Sequence, residues 1–336
     1  VAELDAAHIP HHTLPLNSKN PFTALWCVWQ VVKLIRAHNI QLLHARSRLP
    51  AWVALLSSRI TGVPFITTFH GTHSLKGFGK HWYNSVMVRG RAVIANSQFI
   101  QQHIHENYGL PLSVIPVAPR GVDTAVFNPA RITPAMRKSL ATELHLPAAV
   151  PIILMAGRLT RWKGQHVLLH ALAELADMPW HCLIVGGAGP HNAYATELRQ
   201  HCAQLGLSHR VQFLGSRTDL PALYTMADIA ISASLEPEAF GRVAVEAQAM
   251  GTPIIATNHG GSLETVQNGI TGWLIPPNNA AILATTLRAA LTNPNNLATM
   301  GQAARTWVLA HFTTQQTCQA EWAVYENILK QPLKPE

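Results

Sequence analysis

Charge is what this sequence has least of. Asp, Glu, Lys and Arg make up only 12% of its 336 residues, against 48% hydrophobic residues. So apolar a chain does not stay unfolded in water, which excludes a disordered protein and indicates large buried sheets. Long hydrophobic runs are lacking as well. The richest, ALWCVWQVVKLI at 24–35, is shorter than the roughly 18 residues a spanning helix needs and is broken by Lys33. The chain does not open on a signal-peptide pattern. Its four cysteines, Cys27, Cys182, Cys202 and Cys318, form no C-x-x-C pair. That excludes a zinc framework and a disulfide scaffold and fits reduced thiols in the cytoplasm. No phosphate loop of the G-x-x-x-x-G-K-[ST] type occurs, and the turn LIVGGAGP at 183–190 lacks the full dinucleotide fingerprint. The run HIPHH at 8–12 is not read as a metal site.

What is present is a regular alternation. The length predicts two domains. Strands are expected at 40–46, 63–71, 91–97 and 112–118, and helices at 49–62 and 97–109. The stretch PRGVDTAVFNPARITP at 119–134, rich in Pro, Gly and polar residues, reads as a linker. A second series follows: strands at 150–160, 180–190, 211–215, 229–234, 253–257 and 271–277, helices at 164–177, 194–206, 241–251 and 280–293, and a helical tail over 297–330. Strands alternating with helices predict parallel βα units, hence two doubly wound domains in tandem. Ligands of such sheets bind beyond the carboxyl ends of the strands, so the cleft between the domains is the expected site.

The net charge of +8 is unevenly spread. Residues 1–127 hold 11 Lys/Arg and 4 Asp/Glu, a balance of +7, which leaves +1 for the rest. The first half is therefore expected to face something anionic, such as a phospholipid surface or a lipid-linked phosphate. Nucleic acid is not favoured, because the basic residues are scattered and no recognition motif appears.

Two loops carry chemistry. AGRLTRWKG at 156–164 follows a strand and sets Arg158 and Lys163 before a helix, a combination that favours a diphosphate. SLEPEAFGRVAVEAQAMG at 234–251 follows another strand and carries Glu238 and Glu246 eight positions apart. The main-chain N–H groups of Phe240, Gly241 and Arg242, at a helix start, suit phosphate oxygens. Carboxylates buried there need donors, and sugar or ribose hydroxyls supply them. A nucleotide sugar offers both groups.

These segments resemble the retaining glycosyltransferases of family 4, the "group 1" glycosyl transferases. EAFGRVAVEAQAMGTPIIAT resembles the family's glutamate-(seven residues)-glutamate signature, GRLTRWKG its GR-x-x-x-x-KG loop, VQFLGSRTDLPALYTMADIAISAS its base-binding stretch and TFHGTHSLKG its N-domain histidine loop. The resemblance implies an α/β GT-B fold of two doubly wound Rossmann-like domains with an interdomain cleft. It implies an N-terminal acceptor-side domain at 1–127, a nucleotide-sugar domain at 128–309, and a C-terminal helix at 310–336 packing back on the first. Glu246 would hold the ribose, and Glu238 would contact the transferred sugar. Arg158 and Lys163 would stabilise the leaving diphosphate in place of a divalent metal, for which no Asp-x-Asp motif is present. His70 would hydrogen-bond a sugar hydroxyl. Gly157 and the main chain of Phe240, Gly241 and Arg242 would meet phosphate or sugar. Val211, Phe213 and Gly215 would line the base. If the register slipped by two, Glu236 would replace Glu238.

The implied reaction is transfer of a sugar from a UDP- or GDP-sugar, with no metal cofactor, to an envelope glycan or lipid-linked acceptor of the lipopolysaccharide type. The implied place is the cytoplasm, peripheral on the inner membrane face. A sugar-nucleotide epimerase or glycan synthase of the same fold, or a non-catalytic basic binding protein, is the alternative. The family's first strand and glycine-rich loop have no counterpart before His8, so the resemblance also implies a missing initial segment and an unfilled place in the first sheet.

Overall fold

A computed structural model describes residues 2–16, 20–73, 75, 77–187, 189 and 193–330. Ala188 and Pro190 of the glycine turn, Ser74 and Lys76 of the histidine loop, and the end of the 310–336 segment lie outside the described residues. The chain forms two compact units. The first comprises Val1–Asn96, Ile100–Val117 and Ala320–Glu336, the second Ser97–Phe99 and Ala118–Gln319.

The first unit contains α1 (Ala2–Ala6), α2 (Pro21–His38), β1 (Leu43–Ala45), α3 (Arg48–Thr61), β2 (Phe65–Phe69), α4 (Lys80–Asn84), β3 (Ala92–Ala95) and most of α5 (Gln98–Tyr108). The strands form a parallel sheet in the order β1-β2-β3. β2 is buried along its whole length, as the β-branched and aromatic run FITTF demands. α3 stops where Gly62 takes the left-handed conformation that a side chain disfavours. The strand expected at 112–118 is not there. Pro111 opens a 3-10 turn over Leu112–Val114, and Pro116 has no N–H to give a ladder. What remains is one parallel bridge, Ala95 to Val117.

The second unit contains α6 (Pro134–Glu143), β4 (Ile152–Ala156), α7 (Gln165–Ala173), β5 (His181–Val185), α8 (Ala193–Gln204), β6 (Val211–Gly215), α9 (Leu220–Met226), β7 (Ile229–Ser232), α10 (Arg242–Ala249), β8 (Ile254–Thr257), α11 (Ser262–Thr265), β9 (Gly272–Ile275), α12 (Ala280–Leu291), α13 (Pro294–His311) and the start of α14 (Thr314–Lys330). Its six strands are parallel, in the order β6-β5-β4-β7-β8-β9. Alternate residues feed opposite faces. Ile153 and Met155 join Ile184, Ile231 and Ile255 under α7, α8 and α12, while Leu154 and Ala156 join Leu183, Ala230 and Ile254 under α6, α9 and α10. With both faces covered, the strands read as continuous apolar runs.

The tail expected as one helix is two. Between α13 and α14, Phe312 O accepts from Val122 N at 2.8 Å and Thr314 N donates to Val122 O at 3.0 Å. The chain at 121–122 crosses so closely that a Cβ on Gly121 would lie 2.1 Å from the Thr313 carbonyl. Backbone groups spent on Val122 cannot continue the helix.

Candidate active site

Strand order reverses between β4 and β7: β5 and β6 lie on one side of that pair, β8 and β9 on the other. Such a reversal opens a crevice at the carboxyl ends of the two strands. The loop after β4 carries Gly157 to Lys163, and the loop after β7 carries Ser234 to Gly241.

Glycine lets the two loops touch. Gly164 has φ +73°, and a Cβ there would fall 2.0 Å from Ala233 O. Leu235 N donates to Trp162 O at 2.6 Å, a second tie. Gln165 Nε2 holds Arg158 O at 2.9 Å. A short 3-10 turn over Arg161–Lys163 then aims Lys163 across the gap.

Lys163 Nζ meets Glu238 Oε1 at 2.7 Å, with both side chains largely buried. The same oxygen accepts from Ser234 Oγ at 2.5 Å and Ser232 Oγ at 3.3 Å. Burial pushes the Glu238 carboxyl up, but the Lys163 charge and these hydrogen bonds outweigh it, so the carboxyl lies below its ordinary range. Its main chain is pinned from β8: Gly261 N donates to Glu238 O at 2.8 Å, and a Cβ on Gly260 would sit 2.5 Å from that oxygen. Glu236 is exposed, so the structure puts Glu238 on the lysine.

Glu246 is buried on α10, where Arg242 Nη2 reaches its Oε1 at 2.8 Å from one turn earlier. Burial raises its carboxyl above the ordinary range despite the opposing charges of Arg242, Lys163 and Arg120. Gly241, at φ +87°, starts the helix without a side-chain cap. Ala244 N donates to Gly241 O at 3.0 Å, while the N–H groups of Arg242 and Val243 precede the first helical acceptor and get none from the glycine cap.

The structure thus gathers Lys163, Glu238, Glu246 and Arg242, with Gly157 set against the Lys163 stem. Others lie apart. Arg158 is exposed and has no ion-pair partner among the described residues. The Phe240 side chain is core, packed on Val245 and Phe312, which leaves only its main chain to face a ligand. Val211, Phe213 and Gly215 belong to edge strand β6, which keeps one row of main-chain groups outside the ladder. His70 follows β2 in the first unit, half-buried. Ser232, Ser234, Arg120 and Tyr224 were not singled out from the sequence. The two serines do have a signal: they sit two apart at a strand end, hence on one side of the chain. Tyr224, whose buried hydroxyl has no partner among the described residues, gives none. No group of three or more His, Cys, Asp or Glu among the described residues could hold a metal ion.

This fold and site define a glycosyltransferase of the GT-B class. The family model for glycosyl transferases group 1 matches residues 137–307, and that for Glycosyltransferase Family 4 matches residues 2–126. The chain belongs to the group 1 glycosyl transferases. A glycosyltransferase of Rickettsia africae is 38% identical, with a TM-score of 0.91 over 98% of this chain and 88% of that one. Anabaena HepE, solved with UDP-glucose, is 28% identical, with a TM-score of 0.84 over 97% of this chain and 88% of that one. The D-inositol 3-phosphate glycosyltransferase of Corynebacterium efficiens is 31% identical over 294 residues, 81% of this chain and 68% of that protein. The enzyme of that name in Salinispora arenicola aligns over 65% of its length. The chain is an enzyme that transfers a sugar from a nucleotide-sugar donor to an acceptor.

Proposed function

We propose that the chain is a retaining hexosyl- or N-acetylhexosaminyl-transferase whose donor is a UDP-sugar, with a GDP-sugar as the second candidate. The observation that carries this reading is the buried Lys163–Glu238 pair with Glu246, one turn inside α10, close enough to feel the lysine's charge. HepE's complex with UDP-glucose supports the choice of base. In the free enzyme Glu238 neutralises Lys163. An arriving diphosphate takes Lys163 as its counter-ion, and Glu238 is left to accept from hydroxyls of the transferred sugar. Lys163 and Arg158 then stabilise the charge that develops on the departing phosphate, which is where fixed cations lower a barrier. Glu246 accepts from the ribose hydroxyls. The uncapped first turn of α10 donates to phosphate or sugar oxygens, and the free edge of β6 reads the base. His70 hydrogen-bonds the sugar. No side chain is assigned as a nucleophile; the leaving phosphate itself takes the acceptor's proton on the same face.

The acceptor in this reading is an envelope or lipid-linked glycan, and the enzyme works in the cytoplasm at an anionic membrane face. Two features support it. Residues 1–127 carry a balance of +7, and α2 exposes Phe22, Leu25, Trp26 and Trp29 with Lys33 Nζ 3.9 Å over the Trp29 ring. No helix among the described residues is long and apolar enough to cross a membrane.

A thermal-shift panel of UDP, UDP-glucose, GDP and GDP-mannose tests the donor. A ligand at a hundredfold excess over its dissociation constant adds about 2.7 kcal/mol of stability. We expect that shift with UDP ligands and its loss in Glu246→Ala; no shift with any nucleotide sinks the reading. Sedimentation with vesicles tests docking, which fails if removing acidic lipid leaves binding unchanged.

A further inference from the structure

One side-chain cluster of the first unit is not used by the donor site. Trp52, in the first turns of α3, packs on Trp82 of α4 at 4.7 Å between ring centroids with the planes tilted by 33°, and stacks with Tyr83 at 6.4 Å. The Arg89 guanidinium lies over both indoles, 5.3 Å from Trp52 and 5.8 Å from Trp82, and Arg48 lies 5.8 Å from the Tyr83 ring. Polar ties fix this array. Trp52 Nε1 donates to Tyr83 O at 3.1 Å, Arg48 to Asn84 Oδ1 at 3.1 Å, and Arg89 to Ser85 Oγ at 3.0 Å.

Three properties point to a ligand. The outer ring, Trp82, is 60% exposed although Trp52 packs on its inner side. Neither arginine has a carboxylate partner among the described residues; each bonds only a neutral oxygen there. Arg89, just before β3, reaches back over the rings, and Arg48 opens the helix that follows β1, at the carboxyl end of the sheet. That is the end at which parallel sheets bind ligands.

We propose that this cluster is an acceptor subsite for an acidic sugar, a pyranose bearing a carboxylate or phosphate. The C–H face of the ring stacks on Trp82, and Arg89 with Arg48 takes the anionic group through planar paired donors. A lipid surface is a poorer fit, because the aromatic rings face one another and the arginines rather than spreading outward as an apolar face. The role as acceptor site rests on the transferase reading above; the binding itself does not.

The test uses the whole chain and follows tryptophan fluorescence with methyl β-D-glucuronide, glucose 6-phosphate, methyl β-D-glucoside, inorganic phosphate and phosphatidylglycerol vesicles. A charge-assisted hydrogen bond predicts that the two acidic sugars bind about tenfold more tightly than the neutral glycoside. Arg89→Gln is expected to abolish that preference, and Trp82→Ala to weaken acidic and neutral sugars alike. Both variants keep the UDP thermal shift that Glu246→Ala loses, so a failed donor reading shows separately, as no shift in the parent. Equal binding of acidic and neutral sugars, or none, overturns the proposal. So does a preference that survives Arg89→Gln, inorganic phosphate binding as tightly as glucose 6-phosphate, or displacement of the sugars by the vesicles.

Discussion

At the scale of single residues, Lys163 is the most exposed to test. It is the cation on a buried carboxylate, so Lys163→Ala leaves Glu238 charged and unpaired, a change that costs about 3–5 kcal/mol in buried pairs. On the role proposed for Lys163, sugar transfer is also expected to fall about 10²- to 10³-fold, the usual cost of removing one stabilising donor. Urea melts and nucleotide release measure the two effects; activity within a few-fold of the parent would remove Lys163 from the chemistry. Histidines give a pH signature. Burial, then the charges of Arg46 and His70, lower His44 to about 4; burial, then Arg48 and His103, lower His73 to about 4. Each is neutral in the fold but protonates in the unfolded chain near its ordinary 6.5. Unfolding at pH 5 therefore takes up about two protons, so the stability these groups supply is present above pH 6.5 and drains away toward pH 4. His44→Gln, which can still bond Thr68 and Tyr325, is expected to flatten the fall in urea stability between pH 7 and pH 5.

Among the elements, glycines separate position from strain. Gly164→Ala drives a Cβ into Ala233 O at 2.0 Å and is expected to destabilise by about 3 kcal/mol, since the two active loops must part. Gly109→Ala, at φ +71° with open space around it, carries only the left-handed penalty of about 1 kcal/mol. Denaturant midpoints of the two variants check the contrast. The central strands of the second unit were legible because both faces of its sheet are covered there, so β4, β5, β7 and β8 read as largely apolar runs. The 112–118 segment misled because Val and Ile suggest a strand while Pro111 and Pro116 forbid its ladder. The break after His311 was hidden because its cause, Val122, is far off in sequence. In the site, the two glutamates showed through their spacing, as did the lysine through its loop. The serines on Glu238 left only their two-apart spacing at a strand end, and Arg120 and Tyr224 left none, because such neighbours are chosen by where the chain turns in space.

For the whole molecule, the first unit is discontinuous, and its last part is joined by long-range bonds. Arg46 pairs with Glu321 at 2.5 Å, and His44 Nδ1 meets the Tyr325 hydroxyl at 2.6 Å. Ending the chain after Gln319 should lower the unfolding temperature of the first unit while leaving UDP binding by the second intact. Calorimetry with and without UDP would show this, and one unshifted transition would contradict it. The bonds also set an order in time. His44 and Tyr325 stand 281 residues apart, and synthesis runs at about 5–20 residues per second. The unit that leaves the ribosome first therefore waits on the order of half a minute for the residues that complete it. During that wait its sheet is the part of the nascent protein in most need of a chaperone.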